Sequence, residues 1–146
     1  AWASPGLGTL RLRRRPQCEN AVRGAAYLKG HPMVDQVLCP GLAEGVAKDR
    51  VDTYLSRGFG GLLGFEIKGG KAAGAAFIDA LELFYHVANI GDARSLAIHP
   101  ATTTHSQLTA EEQISAGVSE SYVRLSIGIE HIDDILADLE QALAKA

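Results

Sequence analysis

The chain has 146 residues, enough for one domain with a real core and too few for two well-built ones. Hydrophobic residues make up 47% and charged residues 21%, which excludes a disordered chain, and a formal net charge of -3 gives no global electrostatic reason to bind nucleic acid or an acidic membrane. No apolar run approaches the roughly 20 residues needed to cross a bilayer.

Ala1 to Gly8 has no basic stretch followed by an apolar one, so no secretory signal is read there. Thr9 to Leu28 reads as a helix with Val22, Ala25, Ala26 and Leu28 on its apolar side. Pro16 interrupts that pattern, because an interior proline removes a hydrogen bond and clashes with the preceding turn. The helix is therefore expected to start at Pro16, or to be two pieces that meet there. Gly30-His31-Pro32 ends it. Val34 to Leu38 reads as a strand, Leu42 to Lys48 as a loop, and Arg50 to Leu55 as a brief helix.

Leu62 to Ile67 is a second strand, and Gly69-Gly70 turns it into a helix over Lys71 to Leu83, with Ala72, Ala75, Ala76, Ile78 and Leu83 packing inward. Phe84 to Ile90 and Leu96 to Ile98 read as extended. Thr109 and Glu112 form a capping box, in which hydroxyl and carboxylate reciprocally satisfy backbone amides at the start of a short helix. Tyr122 to Ile127 alternates as a strand does. Ile132, Ile135, Leu136, Leu139 and Leu143 lie on one helical stripe, with Asp133 and Asp134 at the helix start where the dipole favours them. Short connections favour an antiparallel or mixed sheet of about four strands covered by helices on one face, a single α+β domain.

Few residues suggest chemistry. Cys18 and Cys39 are too few for a secreted scaffold or a zinc site and read as reduced cytoplasmic thiols in preference to a disulfide. Arg11, Arg13, Arg14 and Arg15 lack interleaved aromatics and read as a solvated or domain-contacting helix face, not a nucleic-acid site. Lys68 to Lys71 lacks phosphate-loop spacing and reads as a tight turn. His99 and His105 have no third ligand nearby, so loop-orienting hydrogen bonds are expected of them and no metal. The long polar connection Asn89 to Ser106 is the kind of loop that carries function. Arg124 sits in an otherwise apolar strand. Either its guanidinium grips a carboxylate with two parallel hydrogen bonds, or it is a sheet-edge arginine paired with solvent or a surface acid.

The segments Ala88-Asn-Ile-Gly-Asp-Ala-Arg-Ser-Leu-Ala-Ile-His-Pro-Ala-Thr-Thr-Thr-His-Ser106 and Tyr122-Val-Arg-Leu-Ser-Ile-Gly-Ile-Glu130 resemble the C-terminal part of the cysteine/methionine-metabolism family of pyridoxal-phosphate enzymes, in their details the O-acetylhomoserine sulfhydrylases within it. The likeness runs from about Glu19 to Leu143. It implies the small C-terminal domain of a fold-type-I transferase: residues 1–30 a divergent N-terminal segment and interdomain helix, residues 31–146 the substrate-side domain. It further implies that Arg124 holds the substrate α-carboxylate, that Asn89 and the backbone at Ile90 lie beside it, and that Thr104 supports the loop. The family reaction replaces the acetate of O-acetylhomoserine by sulfide to give homocysteine, in methionine biosynthesis, and the parent enzymes are homo-oligomers, tetramers in this family.

The family's Schiff-base lysine lies in a Ser-x-Thr-Lys segment that nothing here matches. A truncated or rearranged piece is therefore expected, with no catalytic residue of its own, no bound cofactor and no independent activity. A stand-alone amino-acid-binding or self-associating module, and a relative of the cystathionine synthases and lyases, are the alternatives.

Overall fold

The computed structural model describes residues 3–146. In chain order the elements are α1 (Ala3–Gly8), α2 (Leu10–Lys29), β1 (Val34–Leu38), a 3-10 turn (Pro40–Leu42), α3 (Gly45–Tyr54), β2 (Leu62–Ile67), α4 (Gly70–Ala80), β3 (Tyr85–His86), β4 (Leu96–Ile98), a second 3-10 turn (Pro100–Thr102), α5 (Ala110–Ser115), β5 (Tyr122–Ser126) and α6 (Ile132–Leu143). The sheet runs β1-β2-β5-β4-β3. Its first three pairings are antiparallel and β3 joins β4 parallel, so it is mixed and has five strands, the two-residue β3 being the addition to the expected four. Among the described residues no helix is long and apolar enough to cross a membrane.

Period-two alternation in β5 decides the layering. Val123 and Leu125, followed by Ile127, face α2, α4 and α6, while Tyr122, Arg124 and Ser126 take the other face. Leu63, Phe65 and Ile67 of β2 join the first set and meet Ala21, Ala25 and Leu28 of α2, Phe77 of α4, and Ile135, Leu139 and Leu143 of α6. Phe65 and Phe77 pack edge to face at 5.4 Å. Each side chain of that size contributes about 1.5–3 kcal/mol by leaving water.

Four expectations are corrected. α2 runs unbroken from Leu10 through Pro16; Leu12, whose carbonyl would have paired with the missing amide, is 73% exposed, so water can reach that turn. The stretch expected to be a loop contains the first half of α3, which starts at Gly45; none of its residues is buried, so no apolar stripe announces it, and a Lys48–Asp52 ion pair at 2.6 Å braces its surface. α4 ends at Ala80 and buries the expected Ile78, but with it Ala73, Gly74 and Phe77 in place of the expected alanines, about one residue round the helix, because the bulky Phe77 takes the inward position. Of Phe84 to Ile90, only Tyr85 and His86 are in a strand.

Both cysteines are free, with Cys39 buried and its thiol pushed up by that burial. Lys68 reaches the Pro32 carbonyl at 2.6 Å, and the two glycines after it form an ordinary turn into α4. Arg13 is occupied by Thr9 and the Gly6 carbonyl, and Arg15 pairs with Glu19. Arg11 and Arg14 line an open surface groove with Leu7, Leu10 and Phe59.

Candidate functional site

β5 lies between β2 and β4, and Arg124 is registered against Gly64 on one side and Ile98 on the other. The arginine therefore projects from the middle of the sheet and not from its edge. Its backbone is fixed by two ladders, while its side chain lies on the face the helices leave uncovered. Nη2 donates to the Asn89 carbonyl at 3.3 Å, a long and therefore weak hydrogen bond. Among the described residues no carboxylate lies within ion-pair distance of it. A guanidinium offers five N–H donors in a planar fork, so most of the fork is left for an incoming carboxylate.

Neighbouring residues shape the face around that fork. Tyr122, on the same face two residues earlier, lies over Gly64, where a Cβ would stand 2.6 Å from its ring Cζ; only glycine leaves room for the ring. Burial pushes the Tyr122 phenol up, opposed by the charge of Arg124, so it stays a neutral wall at ordinary pH. With Leu38, Pro40, Phe59 and Leu62, Tyr122 and Arg124 line a shallow depression of about 380 Å³.

The segment carrying Asn89 is exposed but heavily tied. Asn89 folds its own Oδ1 onto the Ile90 amide at 2.9 Å, and both residues face solvent. Gly91 N–H donates to Ser126 Oγ at 3.1 Å, and Gln17 Nε2 donates to the Asp92 carbonyl at 2.7 Å. Ile129 N–H reaches the Ala93 carbonyl at 2.9 Å. The Glu130 carboxylate receives both the amide of Ser95 at 2.6 Å and its hydroxyl at 2.9 Å. Gly128 passes so close that a Cβ there would stand 2.5 Å from the Ala93 carbonyl oxygen. Arg94 lies over the Tyr85 ring at 4.6 Å.

The structure thus brings Arg124, Asn89 and Ile90 together. Thr104 stands apart: its hydroxyl meets His105 Nδ1 at 2.9 Å, and among the described residues no hydrogen bond links it to Arg124 or Asn89. Its loop is held by Gln113, whose Nε2 reaches the His105 carbonyl at 2.8 Å, and by His99. His99 is fully buried; its Nε2–H donates to the Glu120 carbonyl at 2.8 Å, which leaves Nδ1 to accept the Thr102 hydroxyl at 2.9 Å. Burial holds this imidazole below its ordinary value of 6.5, against the opposing bond to Glu120, with Lys71 and His86 adding to the depression. Among the described residues no group of three His, Cys, Asp or Glu side chains could hold a metal.

Gln17, Asn20, Ser95, Ser126 and Glu130 were not singled out from sequence. A faint signal existed for two of them, because Gln17 and Asn20 interrupt the otherwise small and apolar stripe Ala21, Gly24, Ala25, Leu28.

Comparison with known proteins adds four likenesses. The profile of the family described as Cys/Met metabolism PLP-dependent enzyme matches residues 1–144. The O-acetyl-L-homoserine sulfhydrylase of Leptospira meyeri is 55% identical over 139 residues, which is 94% of this chain and 31% of that protein. A putative O-acetylhomoserine (thiol)-lyase of Campylobacter jejuni, solved with N'-pyridoxyl-lysine-5'-monophosphate, superposes with a TM-score of 0.88 at 41% identity, over 96% of this chain and 33% of the other. Cystathionine gamma synthase of Xanthomonas oryzae pv. oryzae, in complex with aminoacrylate and cysteine, gives 0.86 at 43% identity, over 97% and 36%. The chain spans 31% of the length of that sulfhydrylase.

Proposed function

Since the chain belongs to the Cys/Met-metabolism PLP-dependent enzyme family, we propose that it is the substrate-side domain of a sulfhydrylase acting on O-acetyl-L-homoserine. In that reaction the bond from the γ-carbon to the acetoxy oxygen breaks and a bond to the sulfur of hydrosulfide forms, releasing acetate and leaving homocysteine. The domain's share of the work is to hold the amino acid. Arg124 grips the α-carboxylate, Asn89 and the Ile90 backbone flank it, and Thr104 supports the neighbouring loop. Fixing the carboxylate restricts rotation of the amino acid, so that its Cα–H bond is presented in one direction. The observation that carries this reading is the Arg124 guanidinium on the uncovered sheet face, held by one weak neutral contact and by no acid among the described residues. Residues 31–146 are the substrate-side domain and residues 1–30 the segment leading into it, in a homo-oligomer.

Pyridoxal phosphate supplies an electron sink for the amino acid when bound. The lysines of this chain do not fit the role of anchoring it. Lys29, Lys48, Lys68 and Lys145 each face an acid at the surface, Lys71 is exposed at the start of α4, and no described contact brings any of them to Arg124. The chain by itself is therefore proposed to be inactive.

The test is to splice this chain in place of the matching third of the Leptospira meyeri sulfhydrylase and assay homocysteine from O-acetyl-L-homoserine and sulfide. Arg124→Lys keeps the charge but loses the fork, and is expected to lower kcat/KM about 100-fold, as loss of a charge-assisted bidentate contact does. Retention within about threefold, the scatter of an indifferent surface change, rejects the carboxylate role. A chimera that makes cystathionine from cysteine in preference to homocysteine from sulfide favours the second reading, a cystathionine-synthase relative, which the Xanthomonas likeness supports.

A further inference from the structure

We infer that Gln17 and Asn20, two buried amide side chains on α2, are positioning residues for the carboxylate site, holding the Asn89 segment where its carbonyl meets Arg124; this rests on the reading of Arg124 as the carboxylate grip. Gln17 is 6% and Asn20 9% exposed, on the same face of α2 that buries Ala21, Gly24, Ala25 and Leu28. An amide in such a place is costly unless it is bonded. Both are, and both bond to the backbone around the site instead of to the core.

Three residues apart, the two side chains lie one above the other on the helix. Gln17 reaches the Asp92 carbonyl at 2.7 Å. Asn20 reaches the Glu130 carbonyl at 3.0 Å and the Gly128 carbonyl at 3.4 Å. The neighbouring anchors complete the arrangement. Gly91, next to Asp92, is tied to Ser126, which stands two residues from Arg124 on the same sheet face. The Glu130 carboxylate, whose residue Asn20 holds by its carbonyl, holds Ser95 at the far end of the segment. The span from Gly91 to Ser95 is thus suspended at one end from β5 and α2 together, and at the other from α2 through Glu130. The backbone of Arg124 cannot follow a displacement of that span, because two ladders fix it, so such a displacement changes the distance its guanidinium must cover to the Asn89 carbonyl. The register between Asn89 and Arg124 is therefore set from α2, by residues far away in sequence.

The test uses the chain itself, isotopically labelled for NMR, with O-acetyl-L-homoserine as the probe and the corresponding amino alcohol, which lacks the carboxylate, as the control. Gln17→Met preserves volume and removes the donor; Gln17→His restores a ring N–H of similar reach. The expected result for Gln17→Met is an unchanged fold by circular dichroism, exchange of the Gly91 amide faster by about tenfold, a shifted Arg124 Nε–H resonance, and probe affinity lower by about tenfold, the loss that goes with one hydrogen bond. Gln17→His is expected to return all three towards the parent values, which a merely structural filler would not do. If Gln17→Met does not fold, Asn20→Ala makes the same test from the other anchor. A parent chain that responds to the probe, beside a Gln17→Met chain indistinguishable from it, overturns the inference and leaves the carboxylate reading standing. A parent chain that responds no more to the probe than to the amino alcohol overturns both.

Discussion

Asp138→Ala is the perturbation whose cost the structure defines best. Asp138 lies on α6 and is only 7% exposed, yet among the described residues its carboxylate has no cationic partner; it receives the backbone amides of Glu82 and Leu83 at 2.9 Å and of Phe84 at 3.2 Å, and Nε2 of Gln141 at 2.9 Å. It thereby caps the chain as it leaves α4 and enters β3, on the way to Asn89. A hydrogen bond to a charged group contributes about 1.5–3 kcal/mol, but not every lost bond counts in full. Glu82 is exposed and its amide can turn to water, Leu83 is half-buried, and only Phe84 lies in the dry core. Two bonds' worth, about 3 kcal/mol, is the reasoned cost. For a chain of 146 residues the unfolding entropy is about 0.3 kcal/mol per kelvin, so Tm should fall by about 10 °C. Asp138→Asn keeps one acceptor and should lose about half as much. Thermal unfolding by circular dichroism reads both, and hydrogen exchange at Leu83 and Phe84 localises the effect. A Tm within about 2 °C of the parent, with those amides still protected, would refute the reasoning, because so small a shift is less than one hydrogen bond.

Two further outcomes follow from the same kind of reading. His99 is neutral and buried, with its folded-state pKa depressed, so its contribution is complete above its ordinary value of 6.5 and is lost as pH falls below it, where only the unfolded chain gains the proton. His99→Gln should therefore lose less urea stability between pH 7.5 and pH 5.5 than the parent does; equal losses in the two chains would dismiss the histidine as the cause. Gly128→Ala would press a methyl group against the Ala93 carbonyl oxygen, the Arg94 carbonyl carbon and the Glu130 carboxylate, two of them backbone, and should cost about 1–3 kcal/mol while loosening Ser95 from Glu130. Unchanged exchange at the Ser95 amide would show that the crowding is relieved elsewhere.

What could be read from sequence was whatever declares itself within a few residues. The Thr109–Glu112 capping box is present with both reciprocal bonds, because everything it needs lies within one turn. The stripe of α6 and the alternation of β5 are as regular in space as in the sequence, and the latter set Arg124 on the face opposite Val123 and Leu125. α3 escaped because a helix that buries nothing leaves no hydrophobic period to find. Pro16 misled because the penalty for an interior proline is an average, and a 20-residue helix anchored by its buried face and exposed around Leu12 can absorb it. The suspension of the Asn89 segment was out of reach for a different reason: its bonds join residues 75 and 110 positions apart, and no local pattern records such a pairing.

The division of labour around Arg124 bears on what this domain can discriminate. The strand that carries the guanidinium is central and paired on both sides, so the backbone of Arg124 is set before any ligand arrives and only its side chain remains to be ordered. The Asn89 side contributes a main-chain carbonyl and an exposed turn, neither of which distinguishes one amino-acid side chain from another. The adjoining depression is shallow and mostly apolar. On the function proposed above, such a site recognises the carboxylate shared by all amino acids and is nearly blind to what lies beyond the α-carbon. That agrees with the likeness of this one fold, at 41% and 43% identity, to a thiol-lyase and to a cystathionine synthase, proteins whose names promise different sulfur chemistry. If that proposed role is right, the choice of leaving group and sulfur nucleophile falls to surfaces that face the γ-carbon, and substitutions confined to the Arg124–Asn89 pair should weaken every amino-acid substrate of a chimera by a similar factor. A variant of either residue that changed the ratio of sulfide to cysteine use more than about tenfold would break this argument, since a contact made only to the shared carboxylate enters both reactions equally.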